Sequence, residues 1–299
     1  MKTSEPTKDE YKKALCDTFK HFIEICNKNN LQYYVAAGTW LGAIRHKGII
    51  PWDDDIDVNM PRADFEKLMS LKSSIGPDFE ILDYHTQYYS LPFAKFCNAN
   101  TTVVETLDFP CVLGVYIDVF PIDEVGDEQT AYYLHEEKLN TYARYRGTFR
   151  KLHMRELTSL LYHLHLKTFA RELYYTTLGR HNRKKYLSDY LSVEEEIRKQ
   201  HGDKCMYYGG FYSFQKEVCD KKWFGKGKTV PFEDFYVTVP DDSDAYLSHF
   251  YGDYMVLPPI EFRESHHGRL FVDLNKRWTA EEINKMKIKT NHKPIVRYE

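Results

Sequence analysis

The sequence predicts an α/β (α+β) protein, with a mixed β-sheet core flanked by helices and a basic helical insertion. Three observations lead to it: an amphipathic helix near the start, a series of short β-like segments from residue 32 to residue 119, and a later helical stretch of altered charge. At 299 residues and 42% hydrophobic, the chain can bury a substantial core as one large domain or two closely packed ones.

Taken in order, Tyr11, Leu15, Phe19, Phe22, Ile23 and Cys26 recur at helical spacing, which predicts a helix over residues 7–29. Asn27, Asn29 and Asn30 end it, because their side chains compete for backbone hydrogen bonds. Gln32 to Ala37 is aromatic and β-branched enough for a buried strand, and Trp40 to His46 reads as a short helix. Asp53 to Met60 reads as a strand whose alternation sets Asp55 and Asp57 on one face and Ile56 and Val58 on the other. Pro61 opens a further helix, to about residue 72, carried by Phe65, Leu68 and Met69. Strand-like segments follow near 79–84, 92–97, 101–105 and 113–119, the last stopped by Pro121. Leu157, Leu160, Leu161, Leu164, Phe169 and Leu173 predict an amphipathic helix, and after about residue 205 the chain turns β-like again.

The 41 Lys and Arg nearly balance 44 Asp and Glu, a formal charge of -3, so nothing in the overall charge points to nucleic acid. No apolar run reaches membrane-spanning length and no apolar signal region follows Met1, so a cytoplasmic protein is expected. Six cysteines without a Cys-x-x-Cys pair are read as reduced thiols rather than zinc ligands or a disulfide framework. The charge is unevenly spread, however. Residues 138–185 hold twelve basic residues and two acids, about +10, leaving about -13 elsewhere. That stretch is either a solvated helix pair or a surface for anionic lipid at the inner membrane face or for a phosphate-rich polymer.

The chemistry concentrates around Asp53, Asp54, Asp55 and Asp57, four carboxylates embedded among Ile49, Ile50, Trp52, Ile56, Val58 and Met60. A charge run is often only a solvated turn. Here the apolar setting draws it into the fold, where like charges repel unless a cation joins them; oxygen ligands select a hard one, Mg²⁺ or Mn²⁺. Upstream, Gly38 and Thr39 form a turn before a helix, where backbone N–H groups and a hydroxyl suit a phosphate, although most such turns merely cap helices.

A strand, a Gly-Thr turn with a helix, and Asp-Ile-Asp on the next strand match the nucleotidyltransferase pattern. The segment Ala37 to Asp57 as a whole resembles the LicD family, which includes fukutin and the fukutin-related proteins. The likeness continues through Pro92-Phe93-Ala94-Lys95, Tyr116 to Asp123, and Tyr251 to Met255. It implies a nucleotidyltransferase-like core over 1–130, followed by the basic insertion at 131–204 and a C-terminal segment, 205–299, that packs back and completes the site. It also implies an enzyme that transfers phosphocholine from CDP-choline to a sugar hydroxyl of a teichoic acid or other surface glycan, releasing CMP. Transfer of another phospho-alditol or nucleotidyl group, or an inactive glycan-binding module, are the alternatives.

Carried onto this chain, the resemblance makes Asp55 and Asp57 the metal-holding pair, with Asp53 as an extra ligand or electrostatic partner. Asp118, in the apolar strand Val115 to Phe120, becomes the third metal-binding carboxylate, and it or Asp53 the general base. Asp123, just past Pro121, is read as a cap or loop residue. Lys95, a cation among Phe93, Ala94 and Phe96, calls for a carboxylate or phosphate partner unless it lies on an exposed edge. Arg45, His46 and Lys47 are read as diphosphate or carboxylate partners, or as a solvent-facing helix end. Trp52 is either a base-stacking platform or core, and His266 and His267 either face the site or decorate a loop.

Overall fold

A computed structural model describes residues 5–107, 111–150, 154–163, 165–210, 212–263 and 268–286. The chain opens with α1 (Lys8–Lys28), β1 (Tyr34–Val35), α2 (Ala37–Arg45), β2 (Asp57–Pro61), α3 (Arg62–Ser70), β3 (Phe79–Leu82), β4 (Ala94–Asn98), β5 (Thr102–Val104) and β6 (Tyr116–Val125). A helical layer follows: α4 (Glu128–Gly147), α5 (Met154–Tyr162), α6 (Leu166–Thr176) and α7 (Arg183–Arg198). The last third contributes β7 (Lys204–Met206), α8 (Phe214–Glu217), β8 (Cys219–Asp220), β9 (Lys228–Phe232), β10 (Phe235–Val239), α9 (Ser243–Tyr251), β11 (Phe271–Asp273) and α10 (Ala280–Lys285).

Helix α1 follows its sequence pattern closely. Thr7 and Glu10 form a capping box, and Tyr11, Leu15, Phe19, Phe22 and Cys26 are buried along one stripe. The main sheet runs β1-β2-β6-β4-β3, with β7 and β8 added beyond the far end of β6. Strand β6 lies parallel to β2 and antiparallel to β4, so the sheet is mixed, as its helical flanks and short strands predict.

Four local expectations are corrected. The strand expected over 32–37 shrinks to Tyr34–Val35, because Ala37 takes φ 44° and α2 begins there, taking Gly38 and Thr39 into its first turn. The strand expected from Asp53 begins only at Asp57; Asp53 N–H instead closes a turn onto Ile50 O. Pro121 does not stop β6, which continues to Val125. Asp118 N–H points at Ile56 O, just before β2, so the alternating Pro121 nitrogen faces the other edge, where pairing with β4 has ended at Val119 and pairing with β7 starts at Asp123. The amphipathic helix expected over 157–173 is two helices, α5 and α6.

One apolar core gathers Phe19 and Phe22 of α1, Val58 and Met60 of β2, Phe96 and Cys97 of β4, and Ile117 and Val119 of β6. Phe232, Val237, Val239, Leu247 and Val272 from the last third join the same core. Trp40 of α2 is fully buried, stacked on Tyr246 at 3.9 Å, and its indole N–H donates to Ser243. Asp123 is no loop residue. It is buried in β6 and accepts two hydrogen bonds from the Arg62 guanidinium, at 2.7 and 2.6 Å.

Candidate active site

Strand register assembles the centre of the site. Asp57 of β2 pairs with Asp118 of β6, and Asp118 pairs with Lys95 of β4. Residues paired across a sheet share a face, so these three side chains form one row over three neighbouring strands. Lys95 is 2% exposed, and its ammonium donates to Asp118 Oδ1 at 2.6 Å while lying 3.3 Å from the centre of the Tyr116 ring. The partner that burial demanded of Lys95 is thus the nearby carboxylate.

The loop before β2 folds over this row. Carboxylate oxygens of Asp53, Asp54 and Asp55 lie within 4.8 Å of one another. Asp54 is held by the Arg269 guanidinium, which also donates to Asp54 O at 2.6 Å. Gly38 makes room for Asp53, since a Cβ on Gly38 would stand 2.6 Å from Asp53 Oδ2. No side chain caps α2, so its positive N-terminal end is left to this carboxylate. Thr39 is buried and its Oγ1 accepts from Asp57 N–H at 2.9 Å, which leaves its O–H as a donor. The Gly-Thr turn and the Asp-Ile-Asp segment are therefore in direct contact.

Repulsion within the cluster is strong. Burial, then the charge of Asp55, pushes the Asp53 carboxyl up to about 7. Burial raises Asp57 well above the usual carboxylate range, with Asp55, Asp118 and Asp53 adding to it and Lys95 opposing. An all-oxygen donor set with this surplus of negative charge fits a hard divalent cation. Asp55, Asp57 and Asp118 are the residues expected to hold one. Asp57 and Asp118 stand side by side in the row, and the oxygens of Asp53, Asp54 and Asp55 lie within 4.8 Å of one another.

The other expected residues are placed as follows. Arg45 donates to Tyr254 O at 2.7 Å and to His46 Nε2 at 2.9 Å, fastening α2 to the last third of the chain. His46 meets the edge of Trp52, and Trp52, partly buried, carries the Arg263 guanidinium over its ring at 5.4 Å. Lys47 is exposed, at φ 56°, in the turn that follows α2. His266 and His267 lie outside the described residues.

Sequence reasoning did not single out Tyr212, Tyr251 and Arg269, all from the last third. Burial raises both phenols; Glu217 and then Asp57 add to it at Tyr212, and Asp57, Asp53 and Asp55 add to it at Tyr251. The only sign was Tyr251 opening the Tyr251 to Met255 motif; Tyr212 and Arg269 carried none. Behind Tyr212, Glu217 accepts its N–H at 3.1 Å and burial pushes the Glu217 carboxyl up to about 7 from an ordinary 4.5. The folded state then holds a proton that the unfolded state has released, so stability falls as pH rises from about 4.5 to 7 and is level above that. Glu217→Gln is expected to remove a loss on the order of 3 kcal/mol across this range. Urea unfolding at pH 5 and pH 7.5 measures it, and equal pH dependence in both proteins would contradict the assignment.

The mixed α/β fold is that of a nucleotidyltransferase-like domain, and the proteins this chain is similar to support a transferase. Residues 30–163 match the family described as LicD/FKTN/FKRP, nucleotidyltransferase domain. Over 254 residues it is 25% identical to the lipopolysaccharide cholinephosphotransferase LicD of Haemophilus influenzae, covering 83% of this chain and 91% of that protein. Shorter stretches are 42% identical over 75 residues to an uncharacterized protein of Rickettsia prowazekii and 38% identical over 78 residues to one of Rickettsia typhi. The first covers 25% of this chain and 27% of that protein, the second 25% and 23%.

Proposed function

We propose that the protein transfers phosphocholine from CDP-choline to a sugar hydroxyl of a cell-surface glycan precursor and releases CMP. The observation that carries this reading is the acidic loop Asp53 to Asp55 folded over the Asp57, Asp118 and Lys95 row, against the N-terminal end of α2. The head group rests on similarity to the Haemophilus cholinephosphotransferase, whose acceptor is lipopolysaccharide by name. A lipopolysaccharide or teichoic acid precursor is the acceptor in this scheme.

In the reaction the acceptor oxygen bonds to the choline-bearing phosphorus as that phosphorus separates from the oxygen of CMP. The hydroxyl proton passes to a carboxylate. Asp53, pushed up to about 7, is favoured over Asp118, whose Oδ1 already holds the Lys95 ammonium. Asp55, Asp57 and Asp118 would hold Mg²⁺ or Mn²⁺, which would supply charge neutralisation at the diphosphate when bound. Gly38 and the Thr39 hydroxyl receive phosphate oxygens, and Lys95 fixes Asp118 in the row. Purified protein given CDP-choline, Mg²⁺ and a glycan acceptor is expected to release CMP and to stop when EDTA is added. Turnover that EDTA leaves untouched would remove the metal from this scheme, and glycan binding without turnover would leave a binding module.

We also place the protein in the cytoplasm, at the inner membrane face. Among the described residues no helix is long and apolar enough to cross a membrane. Not all the cations of 138–185 are available to lipid: Lys138 is buried against Glu194, Arg150 pairs with Glu172 at 2.7 Å, and Arg183 is bonded to Thr148. Exposed Lys167, Arg171, Lys184 and Lys185 remain, in a segment that also exposes Leu161, Tyr162, Leu166, Leu173, Tyr174 and Leu178. Sedimentation with vesicles is expected to favour anionic over neutral lipid and to weaken with salt. Equal binding to both lipids would refute docking of these cations on an anionic surface.

A further inference from the structure

A cavity of about 330 Å³ lies between β5, the 88–91 loop and the helical layer, a volume in the range of small-molecule sites. Arg146, Arg180 and Arg183 line it, with the rings of Tyr88 and Phe149. Arg183 donates to Thr148 Oγ1 and to Thr148 O and lies over Phe149 at 4.1 Å, while Arg180 donates to Arg150 O at 2.8 Å. Neither Arg180 nor Arg183 has a carboxylate partner among the described residues. Among the described residues of the wall the one acid is Glu105, which accepts the Tyr116 hydroxyl. The exposed Arg180 and half-buried Arg183 repel each other, and the N–H groups they keep free can donate to phosphate oxygens. At the mouth, exposed Tyr88 is held at φ 66°, a conformation that a large side chain rarely adopts and that collects at ligand sites.

The cavity and the carboxylate cluster share a wall. Glu105 bonds Tyr116, the Tyr116 ring carries Lys95, and Lys95 pairs with Asp118. Along the sheet, α2 and Gly38 lie on the β1 and β2 side of this row, while the cavity borders the 88–91 loop that leads into β4, on the row's other side, and β5 of a separate two-stranded sheet. Displacement at phosphorus needs the attacking and leaving oxygens on opposite sides. A donor seated at α2 therefore leaves the cavity side to the acceptor.

We propose that this cavity is an acceptor subsite for a phosphorylated sugar, with Arg180 and Arg183 gripping its phosphate and Tyr88 and Phe149 covering its ring. Calling the ligand an acceptor rests on the transferase reading above; its binding does not. The acceptor is then an anionic glycan, modified at a hydroxyl near a phosphate it already carries.

Calorimetric titration with glucose 6-phosphate and with glucose tests the proposal without turnover. The phosphorylated sugar is expected to bind more tightly, and Arg180→Gln or Arg183→Lys to weaken it about tenfold. Arg180→Gln is the safer variant, since Arg183 also ties down the end of α4; circular dichroism confirms that each is folded. Asp57→Asn is expected to leave this binding unchanged. Equal affinity for both sugars, unchanged affinity in the arginine variants, or loss in Asp57→Asn would overturn the proposal. If the sugar phosphate binds as described while CDP-choline yields no CMP, the subsite stands and the transferase reading fails.

Discussion

Asp57→Asn is expected to lower turnover at least about a thousandfold without lowering the melting temperature. Asp57 stands where β2 and β6 are in register, opposite Asp118, with Asp55 and Asp53 adding like charge. An amide keeps the shape and removes an anionic oxygen from the centre of the cluster. A buried carboxylate among carboxylates costs the fold energy, so neutralising it does no structural harm. An inactive protein that melts no earlier therefore separates a chemical role from a packing role. Activity within about tenfold of the parent protein would remove Asp57 from the reaction.

The second large effect is on stability. Asp123→Ala is expected to destabilise the protein by about 3–5 kcal/mol, the scale of removing one partner from a buried ion pair. Arg62 then loses both of its hydrogen bonds to Asp123. Its Nη1 lies 3.2 Å from Glu194 Oε2 without the alignment of a hydrogen bond, and Glu194 is already engaged by buried Lys138. Two cations and two carboxylates thus close a neutral network across α3, β6, α4 and α7. Urea unfolding measures the loss, and the double variant Arg62→Met with Asp123→Leu should recover most of it. A single variant as stable as the parent protein would mean that the pair contributes nothing.

The network also marks a limit of reading this chain residue by residue. Helix α1 was legible because its stripe and its Thr7 cap are local facts. Lys95 was half legible: the cost of burying a cation predicts a partner, but only strand register selects Asp118. The acidic loop misled, because Asp53 to Asp57 alternates like a strand. What holds Asp54 out of the sheet is Arg269, 215 residues away, and no local pattern reports such a contact. Asp123 and Lys138 misled for the same reason: their partners come from other helices. Pro121 obeys the usual rule once the gap between β4 and β7 is known, but a gap in pairing is not written in any single strand.

The contribution of β9, β10, α9 and β11 to the central core has a practical consequence for anyone dissecting this enzyme. A fragment cut to residues 30–163 would keep most of the acidic row yet bare the apolar surfaces that Phe232, Leu247 and Val272 cover. It would also release Asp54 from Arg269, and Trp40 from Ser243 and Tyr246. Such a fragment should aggregate instead of working as a minimal unit, and chimaeras between relatives should exchange the beginning and end of the chain together.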